Sequence, residues 1–495
     1  MSFKITILKR IVVFLLISMS LVTLELTSES SLLLSLPTDD EIIDSINDRD
    51  SQQDQIDAII DEALNRDPDE EYETLFDNSV RHTFVIEFTS AEFDGLINDM
   101  NDYMDEYGTY KSNSYRNVTV TYIADDEIQV FENVGFRTKG HVFSRRLPID
   151  EQGNVREVHF MLKFNHTFDL FENSVEYDAL KTREAMGIEQ ILFKWNNTKD
   201  LGNMNEVFSY NMFEQIGVAV PRASFAEVQI VVDGKVELVT LYNIFEHFDE
   251  EFIRRHFQDE PKKEVGDLYK ATYSATLDPI DDSDLYGVRN NELNERPIYS
   301  KETNKDVDSF DTLIRFSYGI NDEDIEVRKA FLEENFNIDS FLRTMAMNVL
   351  LGNPDDYRGN GNNFYYYFDE SGYMTYLPYD YDNSMGSGWD GKPAFIDYTL
   401  GNDIYTWGHF DWNTFGIPLW EHVIEHEEYQ IIYENYLMQY INDGTYSKES
   451  YRALYDMTEA LYSDIYTFIY DKDYFIETKI ERVTEQVTYY REQRK

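Results

Sequence analysis

"NPDDYRGNGNNFYYYFDESGYMTYLPYDYDNSMG" runs from Asn353 to Gly386. Two acidic, Asn-rich clusters flank an aromatic segment, and the reading of that segment decides the fold. Phe364 to Phe368 is an aromatic run suited to a strand, Asp369 to Gly372 is turn-like, and Tyr373 to Tyr379 is a second strand. The two form a hairpin, whose open ends must lie side by side. A loop over 369–372 pairs Phe368 with Tyr373 and, moving outward, Phe364 with Leu377, Asn363 with Pro378, Asn362 with Tyr379 and Gly361 with Asp380. Opposed Cβ atoms lie about 4.5–5.5 Å apart. The expectation is a hairpin mouth that gathers Asn362, Asn363, Asp380 and Asp382, with Asp355 and Asp356 in the loop just upstream.

Amide oxygens and carboxylates on one spot suit a hard cation, Mg²⁺ or Ca²⁺. A neighbouring carboxylate not tied to metal can take a proton from a hydroxyl. An acid, an Asn a few residues later, a hairpin and then a metal-binding acid is also the order of a protein-kinase catalytic segment. Other readings of the same residues fail. Asp380-x-Asp382-x-Ser384 starts like an EF-hand loop, but Met385 stands where its Gly must be and Gly391 where its Glu must be. No Walker A sequence exists, and "GNGNNF" neither follows a strand nor opens a helix. The bland alternative is an Asp/Asn-rich surface loop that turns the chain.

Upstream, "RHTFVIEF" alternates like a strand, and "TSAEFDGLINDMNDYM" opens a helix with Thr89 and Glu92 at capping-box spacing. "NVTVTYI" and "IQVFENVGFRTKG" read as strands, and a helix from about Asn205 ends at Gly217. "SFAEVQIVVDGKVELVTLYNIFEHF" is a hairpin turning at Asp233-Gly234. Residues 81 to about 275 therefore read as α+β with mainly antiparallel strands. Beyond Asn291 the pattern turns helical, with Phe341, Met345 and Val349 on one stripe and Leu342, Ala346 and Leu350 beside it, a core-packing face. Amphipathic helices rich in Tyr and Glu fill 417–490.

The chain has 495 residues and is 42% hydrophobic, enough for a sizeable core. Its net charge of −52 repels nucleic acid and anionic lipid surfaces and favours cations or basic partners. No cysteine is present, which excludes disulfides, thiolate metal sites, cysteine nucleophiles and a lipoprotein anchor. The nine His do not cluster at ligand spacing, so His141, His159 and His166 read as ordinary polar residues, and Lys139 as a surface partner of the surplus acids. Lys4, Lys9 and Arg10 precede an apolar run from Ile11 to Leu24, the length of a signal-peptide core and short for a membrane span. The expected organisation is a signal peptide or N-terminal anchor over 1–27, an acidic flexible spacer over 28–80 and a folded region over 81–490. Contact with a membrane is expected only through an uncleaved N-terminal segment. Residues 39–77 hold 16 acids against two basic residues, Arg49 and Arg66.

Several ordered motifs resemble the spore-coat CotH kinase family. They are Asn353-Pro354-Asp355, then Asn363-Phe364-Tyr365-Tyr366-Tyr367, then Pro378-Tyr379-Asp380-Tyr381-Asp382 through Gly386. Upstream, "FRTKGHVFSRR", "DLGNMNE", "LYNIFEHFDEEFIRRHF" and "GDLYKATY" match further family segments, so that the likeness spans about residues 81 to 470. The resemblance implies a bilobal atypical protein-kinase-like fold, with an N-lobe over about 81–275, a helical C-lobe over about 276–490 and a catalytic β-hairpin. It implies ATP-dependent phosphorylation of protein Ser/Thr, the enzyme itself among the acceptors, with Mg²⁺ or Mn²⁺ (Ca²⁺ as alternative). The protein would be secreted or on the cell surface, with the spore coat as one setting. Carried over, Asp355 is the catalytic-loop acid, with Asp356 as the alternative because the interval to Asn363 is long. Asn363 and Asp380 are metal ligands, with Asn362 and Asp382 beside them. Glu246 matches the N-lobe Glu that ties down a lysine, and the nucleotide lysine is Lys163, Lys194 or Lys270. The competing classes are a surface or coat scaffold that keeps the fold without strong catalysis, and a calcium-stabilised binding module.

Overall fold

The computed structural model describes residues 67–495, apart from 126, 142–144, 173, 197–199, 258–263, 282–284, 286–296, 306–308, 389–398 and 409–415. Residues 1–66, which hold the expected signal peptide or anchor and most of the expected acidic spacer, lie outside the described residues. The chain divides into two units, Met1–Thr74 and Leu75–Lys495. A helix, Pro68–Leu75, ends the segment read as a spacer. Its Pro and three first-turn acids suit a helix N-terminus. All that follows concerns the second unit.

Seven strands form a closed barrel: β1 (His82–Phe88), β2 (Arg116–Ala124), β3 (Glu127–Thr138), β4 (Phe160–Lys163), β5 (Gln190–Lys194), β6 (Ala223–Val232) and β7 (Lys235–Glu246). Their order is β1-β2-β3-β4-β5-β7-β6. Neighbours are antiparallel except where β6 returns to β1 in parallel and closes the ring, which leaves no free edge. Alternation fills the inside: in β1 and β2 every second residue is buried. Phe160 stacks on Phe193 with ring centroids 4.4 Å apart and on Phe136 at 4.8 Å. The β6–β7 turn sits at Asp233 and Gly234, both at positive φ (47° and 77°), as a two-residue hairpin of this type requires. Helix Ser90–Tyr107 starts where expected, with Thr89 accepting from the Glu92 N–H at 3.2 Å. Helix Asn205–Gln215 leads through Gly217 into β6.

A second sheet has the order β11-β10-β8-β9, built from β8 (Asp267–Ala271), β9 (Tyr299–Lys301), β10 (Phe364–Phe368) and β11 (Met374–Pro378). The expected hairpin is β10–β11, but its register is one residue off the reading. Phe364 faces Pro378 and Phe368 faces Met374. The cause is Asp369. Its Oδ1 accepts from the Ser371 N–H, the Ser371 hydroxyl and the Tyr373 N–H, at 2.8, 2.6 and 3.0 Å, and so draws Tyr373 into the turn. A second correction concerns β8. The sequence pattern puts the residues around Lys270 with the antiparallel N-terminal part, yet β8 pairs with β10 along its whole length. The sheet boundary therefore falls between β7 and β8, ahead of residue 275.

Helix Ile338–Leu351 packs behind the hairpin. Phe341, Leu342, Met345, Ala346, Val349 and Leu350 are all fully buried, so both stripes read from the sequence face the core. The helix is capped by Asn337 and stops at Gly352, φ 66°. Helices Asp311–Ile320, Ile325–Asn335, Pro418–Ile424, Glu427–Asn442, Lys448–Tyr462 and Asp473–Gln493 belong to the same helical part. The loop at 352–363 is thus held between a buried helix and a buried strand.

Candidate active site

The hairpin mouth opens toward the end of β5. Asn363 and Asp380 both take positive φ (60° and 61°), a conformation that Asn and Asp tolerate better than other side chains. The Tyr379 N–H donates to the Asn363 carbonyl at 3.0 Å, which joins the two arms at the mouth. The amide of Asn363 donates to the Asp355 carbonyl at 3.0 Å. Asp355 itself is half-buried. Its carboxylate accepts from Asn360 Nδ2 at 2.6 Å and Asn383 Nδ2 at 3.4 Å.

Asp356 has a different role. It is 1% exposed, it N-caps the single turn Tyr357–Asn360 through the Gly359 N–H, and its Oδ2 accepts from Asn348 at 2.6 Å. Burial pushes its pKa up to about 6, against the opposing pull of nearby Arg358. A carboxylate so enclosed shapes the loop and presents no face to a substrate hydroxyl. Asn362 contributes a backbone N–H to the Asp356 carbonyl at 3.4 Å.

Lys194 stands across the cleft. Its Nζ lies 2.6 Å from Asp380 Oδ1, 2.7 Å from Glu206 Oε1 and 3.9 Å from Asp382 Oδ2. Burial works against its charge, but Asp380 and Glu206 outweigh it and raise its pKa well above the usual lysine range. Asp380 also overcomes burial, and Lys194 holds it below the ordinary carboxylate value. Asp382 goes the other way: burial, then repulsion from Asp380, raises it well above its ordinary value. Glu206 is pushed up to about 7 by burial, with Lys194 opposing. One lysine thus faces Glu206, Asp380 and Asp382, with Asp355 close enough to repel Asp382. A divalent cation would relieve that surplus. The donors Asn363, Asp380 and Asp382 fit Mg²⁺, which uses one or two carboxylates and completes its shell with phosphates and water. Among the described residues no group of three or more His, Asp or Glu forms a ready-made metal cage.

Two of the expected nucleotide residues lie elsewhere. Glu246, read as the partner of a lysine, instead accepts from Arg255 at 2.9 Å and pairs with His256 at 3.1 Å. At the hairpin mouth the lysine–glutamate contact is Lys194–Glu206, 2.7 Å apart. Lys163 pairs with Gln190 at the far end of β5, four residues or about 13 Å of strand from Lys194. Lys270 is in the neighbourhood: its Nζ lies 4.8 Å from the Tyr379 ring centroid, and its charge helps to lower Asp380. The sequence alone gives Glu206 no role, although it closes the "DLGNMNE" segment that opens helix Asn205–Gln215.

A model of the CotH kinase protein family matches residues 161–495. No curated protein matches the chain. Among solved structures the chain is similar to a crystal structure of the Helicobacter pylori proinflammatory kinase CtkA, at 11% identity and a TM-score of 0.22, over 68% of this chain and 96% of that one. The family assignment rests on the family model, whose match starts inside β4.

Proposed function

The chain belongs to the CotH kinase protein family, a kinase-type enzyme at that level, and on that premise we propose that it is an exported protein Ser/Thr kinase that uses ATP and Mg²⁺ or Mn²⁺. The observation that carries the proposal is Lys194 held between Glu206 and Asp380 while Asn363 and Asp355 lie on the adjoining arm of the hairpin mouth. A Lys–Glu pair, a metal-binding acid and a loop acid followed by an Asn are the parts that phosphoryl transfer requires. In this reading the barrel and the helical part are the two lobes, with the cleft between them.

Asp355 is the proton acceptor. Its carboxylate takes the proton of the acceptor hydroxyl as that oxygen forms a bond to the γ-phosphorus and the bridging oxygen leaves with ADP. Asn360 and Asn383 orient the carboxylate, and Asn363 fixes its backbone. Lys194 orients phosphate oxygens from the barrel side. Asn363, Asp380 and Asp382 would hold the divalent cation, which when bound offsets the charge of the phosphates. Export rests on the apolar run Ile11–Leu24 after Lys4, Lys9 and Arg10.

The test is transfer of labelled γ-phosphate from ATP, with Mg²⁺ or Mn²⁺, to the protein itself and to a panel of acceptor proteins. Wild type should label Ser or Thr. Asp355→Asn should slow transfer roughly 10²-fold or more, the scale of a lost general base. Asp356→Asn should lose far less rate per folded molecule while lowering the melting temperature. Absence of labelling with either metal and every acceptor would overturn the catalytic reading and leave a scaffold.

A further inference from the structure

We infer that Asn205 is a positioning residue: it clamps the segment that carries Asp380 and Asp382 onto helix Asn205–Gln215, and Tyr451 holds its amide in the clamping orientation. The inference rests on the metal-site reading above and adds two residues that act through Asp380 and Asp382.

Helix Asn205–Gln215 is buried on almost every side, yet Asn205, Glu206, Ser209 and Tyr210 bring polar groups into that interior. Buried polar groups cost free energy unless they are hydrogen-bonded. Here all four bond to one segment, 380–387. Their spacing, i, i+1, i+4 and i+5, puts them on one side of the helix. The Tyr210 hydroxyl accepts the Asp380 N–H at 3.0 Å, and the Tyr381 N–H donates to the Glu206 carboxylate. The Ser209 and Ser384 hydroxyls lie 2.9 Å apart. Asn205 Nδ2 donates to the Ser384 carbonyl at 3.1 Å and to the Ser387 hydroxyl at 2.7 Å. The stretch holding Asp382 is thus gripped on both sides.

That stretch needs the grip. Asp380 and Met385 take φ of 61° and 55°, left-handed values that a residue with a Cβ keeps only where its surroundings impose them. Asn205 is itself fixed from two directions. Its N–H donates to Asp200 Oδ2 at 2.7 Å, and its Oδ1 accepts from the Tyr451 hydroxyl at 3.1 Å. The Ser384 carbonyl can only accept, so it requires Nδ2 on its side; the Tyr451 hydroxyl, donating to Oδ1, holds that orientation. Tyr451 belongs to helix Lys448–Tyr462, and Tyr446, just ahead of that helix, reaches the Met385 sulfur at 3.8 Å. The C-terminal helices therefore brace the metal-binding acids through Asn205. Loss of the clamp leaves both carboxylates in the chain but no longer at one fixed separation, and a cation that demands near-octahedral geometry binds such a pair less well.

The experiment is calorimetric titration of Mn²⁺, with ADP present, into full-length wild type, Asn205→Ala, Tyr451→Phe and Ser387→Ala, with a melting curve and labelled-phosphate turnover for each. Asn205→Ala should weaken Mn²⁺ binding roughly tenfold, the scale of one or two buried hydrogen bonds. Tyr451→Phe and Ser387→Ala, each missing one hydroxyl, should weaken it about threefold, and excess Mn²⁺ should restore their turnover to within about twofold of wild type. If Asn205→Ala fails to fold, the two hydroxyl variants decide. Lower melting temperatures with Mn²⁺ affinity unchanged would make Asn205 a packing residue and overturn the inference. Weaker Mn²⁺ binding in the variants, beside a wild type that binds Mn²⁺ but labels no acceptor, would support the clamp and overturn the kinase reading alone. A wild type that binds no Mn²⁺ would remove the metal site, and this inference with it.

Discussion

His82 shows what one buried side chain does to the stability of this protein. The ring is fully buried, with Nδ1 3.0 Å from the Tyr122 hydroxyl and Nε2 3.1 Å from the Asp77 carbonyl. Burial pushes its pKa down to about 4, against about 6.5 for a free histidine. Between those values the unfolded chain binds a proton that the folded chain refuses. The contribution of His82 is therefore complete above about pH 6.5 and falls as the pH drops toward 4. Linkage puts the loss at about 2 kcal/mol between about pH 7.5 and pH 5. Urea unfolding at both pH values should show that difference disappear in His82→Asn; an identical pH dependence in wild type and variant would refute it. The same physics separates two neighbours that the sequence left as alternatives. Asp355 and Asp356 are chemically identical and adjacent. Only the packing of Asn348 and the Tyr357–Asn360 turn around Asp356 distinguishes the loop-shaping acid from the one at the cleft.

At the scale of elements, the four-stranded sheet depends on one close approach. Gly266 leads into β8, and a Cβ built there would lie 1.9 Å from the Phe368 carbonyl oxygen and 2.9 Å from the Asp369 Cα. Both contacts are backbone, so no side-chain rotation relieves them. Gly266→Ala should force β8 away from β10, costing roughly 2 kcal/mol or more, in the range of overpacked cores. Because Lys270 rides on β8, its contacts with the Tyr365 and Tyr379 rings should loosen as well. Unchanged melting and unchanged amide protection in Phe364–Phe368 would refute the argument. Aromatic density and the "DESG" turn made the hairpin legible in the sequence. Its register was not legible, because three hydrogen bonds to Asp369 lengthen the turn by one residue. The β8–β10 pairing was not legible either, since nearly a hundred residues separate the partners and no local pattern encodes such a contact.

At the scale of the whole molecule, charge dominates. With 95 acids against 43 basic residues, self-repulsion outweighs the exposed ion pairs that salt also screens. Stability should rise between about 0.01 M and 1 M NaCl, as the screening length falls from ~30 to ~3 Å. Melting curves across that range test it, and a flat or falling midpoint would mean that specific ion pairs prevail.

By itself the sequence determined the elements and the hairpin mouth. Period-2 and period-3.6 patterning, capping residues and turn glycines act within a few residues of one another, and the motifs around Asp355, Asn363 and Asp380 are contiguous enough to read. Tertiary structure alone decided which lysine and which glutamate meet them. Lys163, Lys194 and Lys270 have equivalent side chains on strands of similar pattern. The choice of Lys194 follows from the β4–β5–β7 register and from helix Asn205–Gln215, which carries Glu206 to within 2.7 Å of it. Glu246 is engaged instead by Arg255 and His256 from the helix that follows β7. Closure of the barrel by a parallel β1–β6 pair was likewise beyond local pattern, because pairing between distant strands depends on the twist and length of all seven.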